Sequence, residues 1–163
     1  MSTLRSKLIG LVAATAMVAA ASNAWSIAGV DFPSHSMEEA KAEVDGQNYE
    51  TAAEYLEEIL RFEPENADAY NLLAFSQRNL GELDKAMENY LKALELDPKH
   101  ANALEYQGEL FLKMGDKDSA EKNLALLAEI CPQGCEAHTV LQAAIERFKD
   151  GNFAWTQAAS SRD

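Results

Sequence analysis

Cys131 and Cys135 are the two cysteines of the chain, and they bracket Pro132, Gln133 and Gly134. In an oxidising compartment, a pair this close is read as a disulfide that staples a turn. A loop so short constrains the unfolded chain only modestly, so its role would be to fix the angle of whatever follows. The alternative adds His138, which gives a Cys-x3-Cys-x2-His set of soft-metal ligands. Zinc would need a fourth ligand, and none stands nearby in the sequence. The spacing differs from the Cys-x-x-Cys of thioredoxin-like redox motifs and from the Cys-x-x-Cys-His of haem attachment.

The other residues able to do chemistry are dispersed. His35, His100 and His138 lie far apart, and the chain has no Ser-His-Asp grouping, Gly-rich phosphate loop or His-x-x-x-His helix. Carboxylates alternate with lysines at helical spacing, as in Glu88 before Lys92 and Glu95 after it, which describes solvated helix faces. No catalytic residue and no cofactor are expected, and the chain reads as non-enzymatic.

Charge narrows the partners. The formal charge is −13, and removing Arg5 and Lys7 with a leader would leave 12 basic residues against 27 acidic ones, or −15. Such a surface repels phosphate backbones, which argues against nucleic acid, and it disfavours anionic membranes. It suits solubility and the steering of basic partners. Apolar residues suffice for a core, while Pro and Gly are too sparse for a many-turned β architecture.

The first residues carry an address. Arg5 and Lys7 precede an apolar run from Leu8 to Ala21, and Ser22-Asn23-Ala24 follows with small residues at the first and third places. This is the pattern of a secretory signal peptide, and the run falls short of the roughly 20 residues of a spanning helix. Cleavage after Ala24 is expected, leaving a mature chain from Trp25 with no stable membrane anchor. An Ala-rich leader without a lipidation cysteine points to a bacterial periplasm.

The elements that would hold these residues are set by a repeat. Pro64, Pro98 and Pro132 are each 34 residues apart, and so are Ala52, Ala86 and Ala120. Leu56, Tyr90 and Leu124 keep the interval, as do Ile59, Ala93 and Leu127, while Gly81 is matched by Gly115 and Ala74 by Gly108. Within a unit, Ala69 to Leu80 is apolar at Leu72, Leu73, Ala74 and Phe75 and stops at Gly81, able to end a helix in the left-handed conformation. Leu83 to Leu96 then carries the three-to-four spacing of an amphipathic helix, with Glu82 and Asp84 where the helix dipole favours negative charge. Asp97-Pro98 closes it, because Pro pushes the preceding residue out of helical geometry. The next unit runs Ala103 to Met114, Gly115-Asp116, Asp118 to Ile130 and Cys131-Pro132.

These residues resemble the tetratricopeptide repeat family. The match is Tyr70, Leu73, Ala74, Gly81, Ala86, Tyr90, Ala93 and Pro98 in one unit, and Leu104, Gly108, Phe111, Gly115, Ala120, Leu124, Leu127 and Pro132 in the next. The resemblance covers residues 37–149 and departs in the first unit, where Met37 to Val44 has few bulky apolar residues and Gly46 falls one place early. That unit reads as an eroded N-terminal cap, with Ser36 and Glu39 offering a capping box.

The expected architecture is an all-α superhelix, a solenoid of three helical hairpins plus a capping helix. Its parts are a leader over 1–24, a linker over 25–36 and a repeat domain over 37–149. The domain divides into units at 37–66, 67–100 and 101–134, with a capping helix over 136–149. Residues 150–163 form a polar tail in which Phe153 and Trp155 stand out, expected to dock on the cap. The resemblance implies that the first helix of each hairpin lines a concave groove. Its outward positions would be Asn71, Phe75, Arg78 and Asn79, then Asn102, Tyr106, Glu109 and Lys113, with Phe75 and Tyr106 as apolar anchors. The competing reading packs Phe75 and Tyr106 between neighbouring repeats. The asparagine- and lysine-rich carboxylate clamp of chaperone-binding members is not evident. The function this implies is capture of a protein or peptide segment, as a periplasmic scaffold or assembly factor for an envelope complex. The rival is metal or redox handling by Cys131, Cys135 and His138. A short array also leaves a hairpin face open to self-association.

Overall fold

The computed structural model describes residues 32–149; the leader and the tail, including Phe153 and Trp155, lie outside the described residues. Seven helices follow in order: α1 (Met37–Asp45), α2 (Tyr49–Phe62), α3 (Ala67–Leu80), α4 (Leu83–Leu96), α5 (Ala101–Lys113), α6 (Lys117–Ile130) and α7 (Glu136–Lys149). Among the described residues there is no strand.

Each helix starts and stops for a local reason. Ser36 and Glu39 close a reciprocal capping box at α1: the Glu39 amide donates to Ser36 Oγ at 3.2 Å, and the Ser36 amide to Glu39 Oε2 at 2.8 Å. Asn66 caps α3, accepting from the Ala69 amide at 2.9 Å, and Asp116 caps α6 through Ser119. Gly81 and Gly115 end the first helices of their hairpins with φ of 84° and 85°. In the first unit Gly46 stays right-handed, and Gln47 takes the left-handed place at φ 61°. Gln47 stands 34 residues before Gly81, so the repeat keeps its backbone conformation although the glycine is displaced.

Small residues let the helices approach. Ala52, Ala86 and Ala120, one per hairpin, are fully buried. Around them lie Leu56 and Ile59 in α2, Tyr90 and Ala93 in α4, and Leu127 in α6. The second helix of the middle hairpin packs on α3, and α2 packs on the same α3 from the preceding unit. The first helices also meet directly, α1 on α3 and α3 on α5. The array ends with α7 laid across α5 and α6, burying Ala137, Leu141, Ala144 and Ile145. Gly108 of α5 is the point of closest approach: a Cβ there would lie 2.6 Å from a terminal methyl of Leu141.

Candidate functional site: the face of the first helices

The expected groove positions separate into a buried layer and a rim. Asn71, Phe75, Arg78 and Glu109 are buried, with Arg78 at 0% exposure. Asn79, Tyr106 and Lys113 are half-buried, and Asn102 is exposed. Four of the eight positions expected to face outward are therefore inside the joint between α3 and α5.

The reason is the chemistry of Arg78. Its Nη1 donates to Glu109 Oε2 at 2.9 Å and to the Tyr106 carbonyl at 3.0 Å. The guanidinium carbon lies 5.0 Å from the Phe75 ring centre and 5.4 Å from that of Tyr106. A guanidinium is planar, weakly hydrated and able to stack, so it can enter a packed joint where an ammonium could not. The two rings meet at 4.9 Å and 51°, which is the packing of Phe75 and Tyr106 between neighbouring repeats. Tyr49 of α2 touches Phe75 edge-on, so the joint spans three helices. Repeat spacing could not show this pairing, because Arg78 and Glu109 are 31 residues apart, off the 34-residue interval.

The rim is polar. Asn79 spends its amide on the Phe75 carbonyl of its own helix, at 2.8 Å. Lys113 lies 3.5 Å from the Arg78 carbonyl, and burial followed by the nearby Arg78 charge holds its ammonium below the ordinary lysine range. Asn102, Tyr106, Glu109 and Lys113 follow the three-to-four spacing of one α5 stripe.

A buried amide layer was not foreseen. Asn89 donates to Gln77 Oε1 at 2.8 Å, and Asn123 donates to Gln107 Oε1 at 3.0 Å and to the Leu104 carbonyl at 3.0 Å. Asn89 and Asn123 stand at the repeat interval, a signal carried by polar residues that apolar periodicity passes over. Paired this way, the amides satisfy each other inside each hairpin and penalise a slipped register.

The histidines fall on joints. His100 accepts the Ala103 amide on Nδ1 at 3.2 Å, so Nε2 carries the proton and donates to Asp68 Oδ1 at 3.0 Å, tying consecutive turns. His35 stacks on Tyr55 at 3.5 Å and meets Glu58 at 2.7 Å. Hydrogen bonds from the Ser34 amide and hydroxyl, then from His35, lower the Glu58 carboxyl to about 2. His138 is half-buried in the first turn of α7.

Cys131 and Cys135 form a disulfide with Cα atoms 5.7 Å apart. Both sulfurs are thereby withheld as thiolate ligands, which removes the soft donors of the Cys131–Cys135–His138 alternative in this state. Among the described residues no group of three or more His, Cys, Asp or Glu could hold a metal ion, and no helix is long and apolar enough to cross a membrane.

Helical hairpins stacked at a constant interval, with a lone helix closing one end, define an all-α solenoid of tetratricopeptide type. Residues 67–100 and, in an overlapping register, 89–122 match the tetratricopeptide repeat. The chain is a tetratricopeptide-repeat protein. It is 43% identical over 56 residues to anaphase-promoting complex subunit 3 of Dictyostelium discoideum, which is 34% of this chain and 6% of that protein. Its fold resembles MamA (residues 41 to end) of Desulfovibrio magneticus RS-1, with TM-score 0.56 at 23% identity over 59% of this chain and 54% of that one. It also resembles the type III secretion translocator chaperone SycD of Yersinia enterocolitica, with TM-score 0.62 at 20% identity over 69% and 87%. The chain thus spans a small fraction of the first relative and about half of the second.

Proposed function

We propose that this protein is a non-enzymatic scaffold or assembly factor of the bacterial periplasm that holds a segment of a partner protein against the α1–α3–α5 face. Repeats of this kind make a protein-interaction module, and the chaperone likeness is in keeping with that. The observation that carries the reading is the composition of the α3–α5 joint. A rigid, internally satisfied layer of Phe75, Arg78 and Glu109 supports a rim of Asn102, Tyr106 and Lys113 that is still reachable by solvent. Rim residues held by a packed layer are pre-organised, so a partner would lose little free energy ordering them. The acidic remainder of the surface would steer a basic segment toward the face.

The test uses affinity isolation of the full-length protein from its native envelope, with Tyr106→Ala and Lys113→Glu alongside. Loss of one and the same partner from both variants, each still folded by circular dichroism, is the expected result. Undiminished capture by both would refute binding through this face. Intact-mass analysis of the exported protein gives the second half of the reading, with a mature chain starting at Trp25 expected; retention of residues 1–24 would refute export by cleavage.

A further inference from the structure

The Cys131–Cys135 disulfide spans a turn that the other hairpins close without one. The Asn66 amide donates to the Glu63 carbonyl at 3.1 Å and the His100 amide to the Asp97 carbonyl at 3.1 Å. The Gly134 amide donates to the Cys131 carbonyl at 2.8 Å in the same way. All three turns therefore have the same backbone closure, and α7 is held besides by Ala137, Leu141, Ala144 and Ile145. The crosslink is redundant as a turn-former.

Its placement is chemically asymmetric. Cys131 ends α6, its amide donating to the Leu127 carbonyl at 2.9 Å. Cys135 begins α7, its carbonyl accepting from the Thr139 amide at 3.1 Å. Both helices have 14 residues. The free amides and partial positive charge at the start of α7 favour a thiolate on Cys135, whereas the carbonyl end of α6 opposes one on Cys131. Glu129 and Glu136 beside the pair oppose a thiolate on either sulfur, and His138 in the first turn of α7 favours one on Cys135 when protonated. Neither cysteine is fully buried, so an incoming thiol has access.

We propose that Cys131–Cys135 is a thiol–disulfide exchange site that accepts two electrons from a dithiol partner, with Cys135 as the leaving thiolate. A thiolate of the partner attacks Cys131 Sγ and forms a mixed disulfide. The Cys131–Cys135 bond breaks, and its electron pair stays on Cys135 Sγ. The partner's second thiolate then attacks the partner's own sulfur, and Cys131 departs with the electron pair and takes a proton from water. The partner leaves as a disulfide and both cysteines are reduced. Reduction frees Cys135 to cap α7 and releases the angle between α6 and α7, while the apolar contacts of α7 remain.

The test titrates thiolate absorbance near 240 nm in Cys131→Ser and Cys135→Ser, and follows reduction of the wild-type protein by dithiothreitol under native conditions. Cys135, alone in the first variant, is expected to ionise at least tenfold more readily than a free cysteine, whose pKa is about 8.5. Cys131, alone in the second, is expected to ionise no more readily than that. The wild-type disulfide is expected to reduce with the helical circular dichroism unchanged. Equal titration of the two single cysteines, or reduction only after unfolding, would overturn the proposal. Because the wild-type measurement needs no substitution, a variant that fails to fold does not shield it.

Discussion

Replacing Glu109 with alanine would leave the Arg78 guanidinium in a joint where its side chain is 1% exposed. The loss is more than one hydrogen bond of 2.9 Å. The remaining charge sits between two rings, too far from bulk water to be resolvated. Breaking a buried pair from one side costs about 3–5 kcal/mol. At about 4 °C per kcal/mol for a domain of this size, the expected fall in Tm is roughly 12–20 °C. The double variant Arg78→Met with Glu109→Leu removes both charges and fills the joint with apolar volume, and it should recover to within about 1 kcal/mol of the parent. Urea unfolding followed by far-ultraviolet circular dichroism reads both. Added salt should change the Glu109→Ala loss little, since a buried pair is poorly screened. A Glu109→Ala cost below about 1 kcal/mol, the range of an exposed pair, would refute the reasoning. So would a double variant as unstable as the single one.

Three further outcomes follow from the backbone and the N-terminal joint. Gly108→Ala places a Cβ 2.6 Å from the Leu141 side chain, and overpacking should outweigh the gain in helix propensity, lowering stability by about 1–2 kcal/mol in urea unfolding; an unchanged midpoint would show that α7 can shift at no cost. Gln47→Gly relieves a left-handed residue at φ 61° and should raise stability by about 0.5–1 kcal/mol after the entropy of the added glycine, with a lower thermal midpoint as the contrary result. Glu58 is held at about 2 by Ser34 and His35, so its contribution is complete above the ordinary carboxylate value of 4.5 and is lost as pH falls toward 2. Glu58→Gln should lower the midpoint at pH 6 and flatten its dependence over pH 4.5 to 2; a parent and variant that lose stability in parallel would contradict this.

The fold was legible because every unit repeats its small, bulky and Pro positions at one interval. Ala52, Ala86 and Ala120 mark where helices approach, and they are buried in all three hairpins. The site was less legible, for two physical reasons. Arg78 and Glu109 satisfy each other, so charges at formally outward positions became interior, and their pairing is off the repeat interval. Gln77 and Gln107 are polar at positions that apolar periodicity would give to the core, and only the hydrogen bonds from Asn89 and Asn123 make them tolerable there. The first unit shows the reverse case. Gly46 looked misplaced, yet Gln47 adopts the glycine-like conformation because the hairpin geometry demands it.

The account turns on which face of the solenoid meets the partner. Asn102 is exposed on the α5 stripe of the first-helix face, whereas Leu91 is exposed at 55% on the second helix of the middle hairpin. A photo-crosslinking benzophenone residue placed at each position in the native organism reads the difference without disturbing the core. The account predicts a discrete adduct with one partner protein from position 102 and none from position 91. The same adduct from position 91 alone, or equally from both, would contradict it.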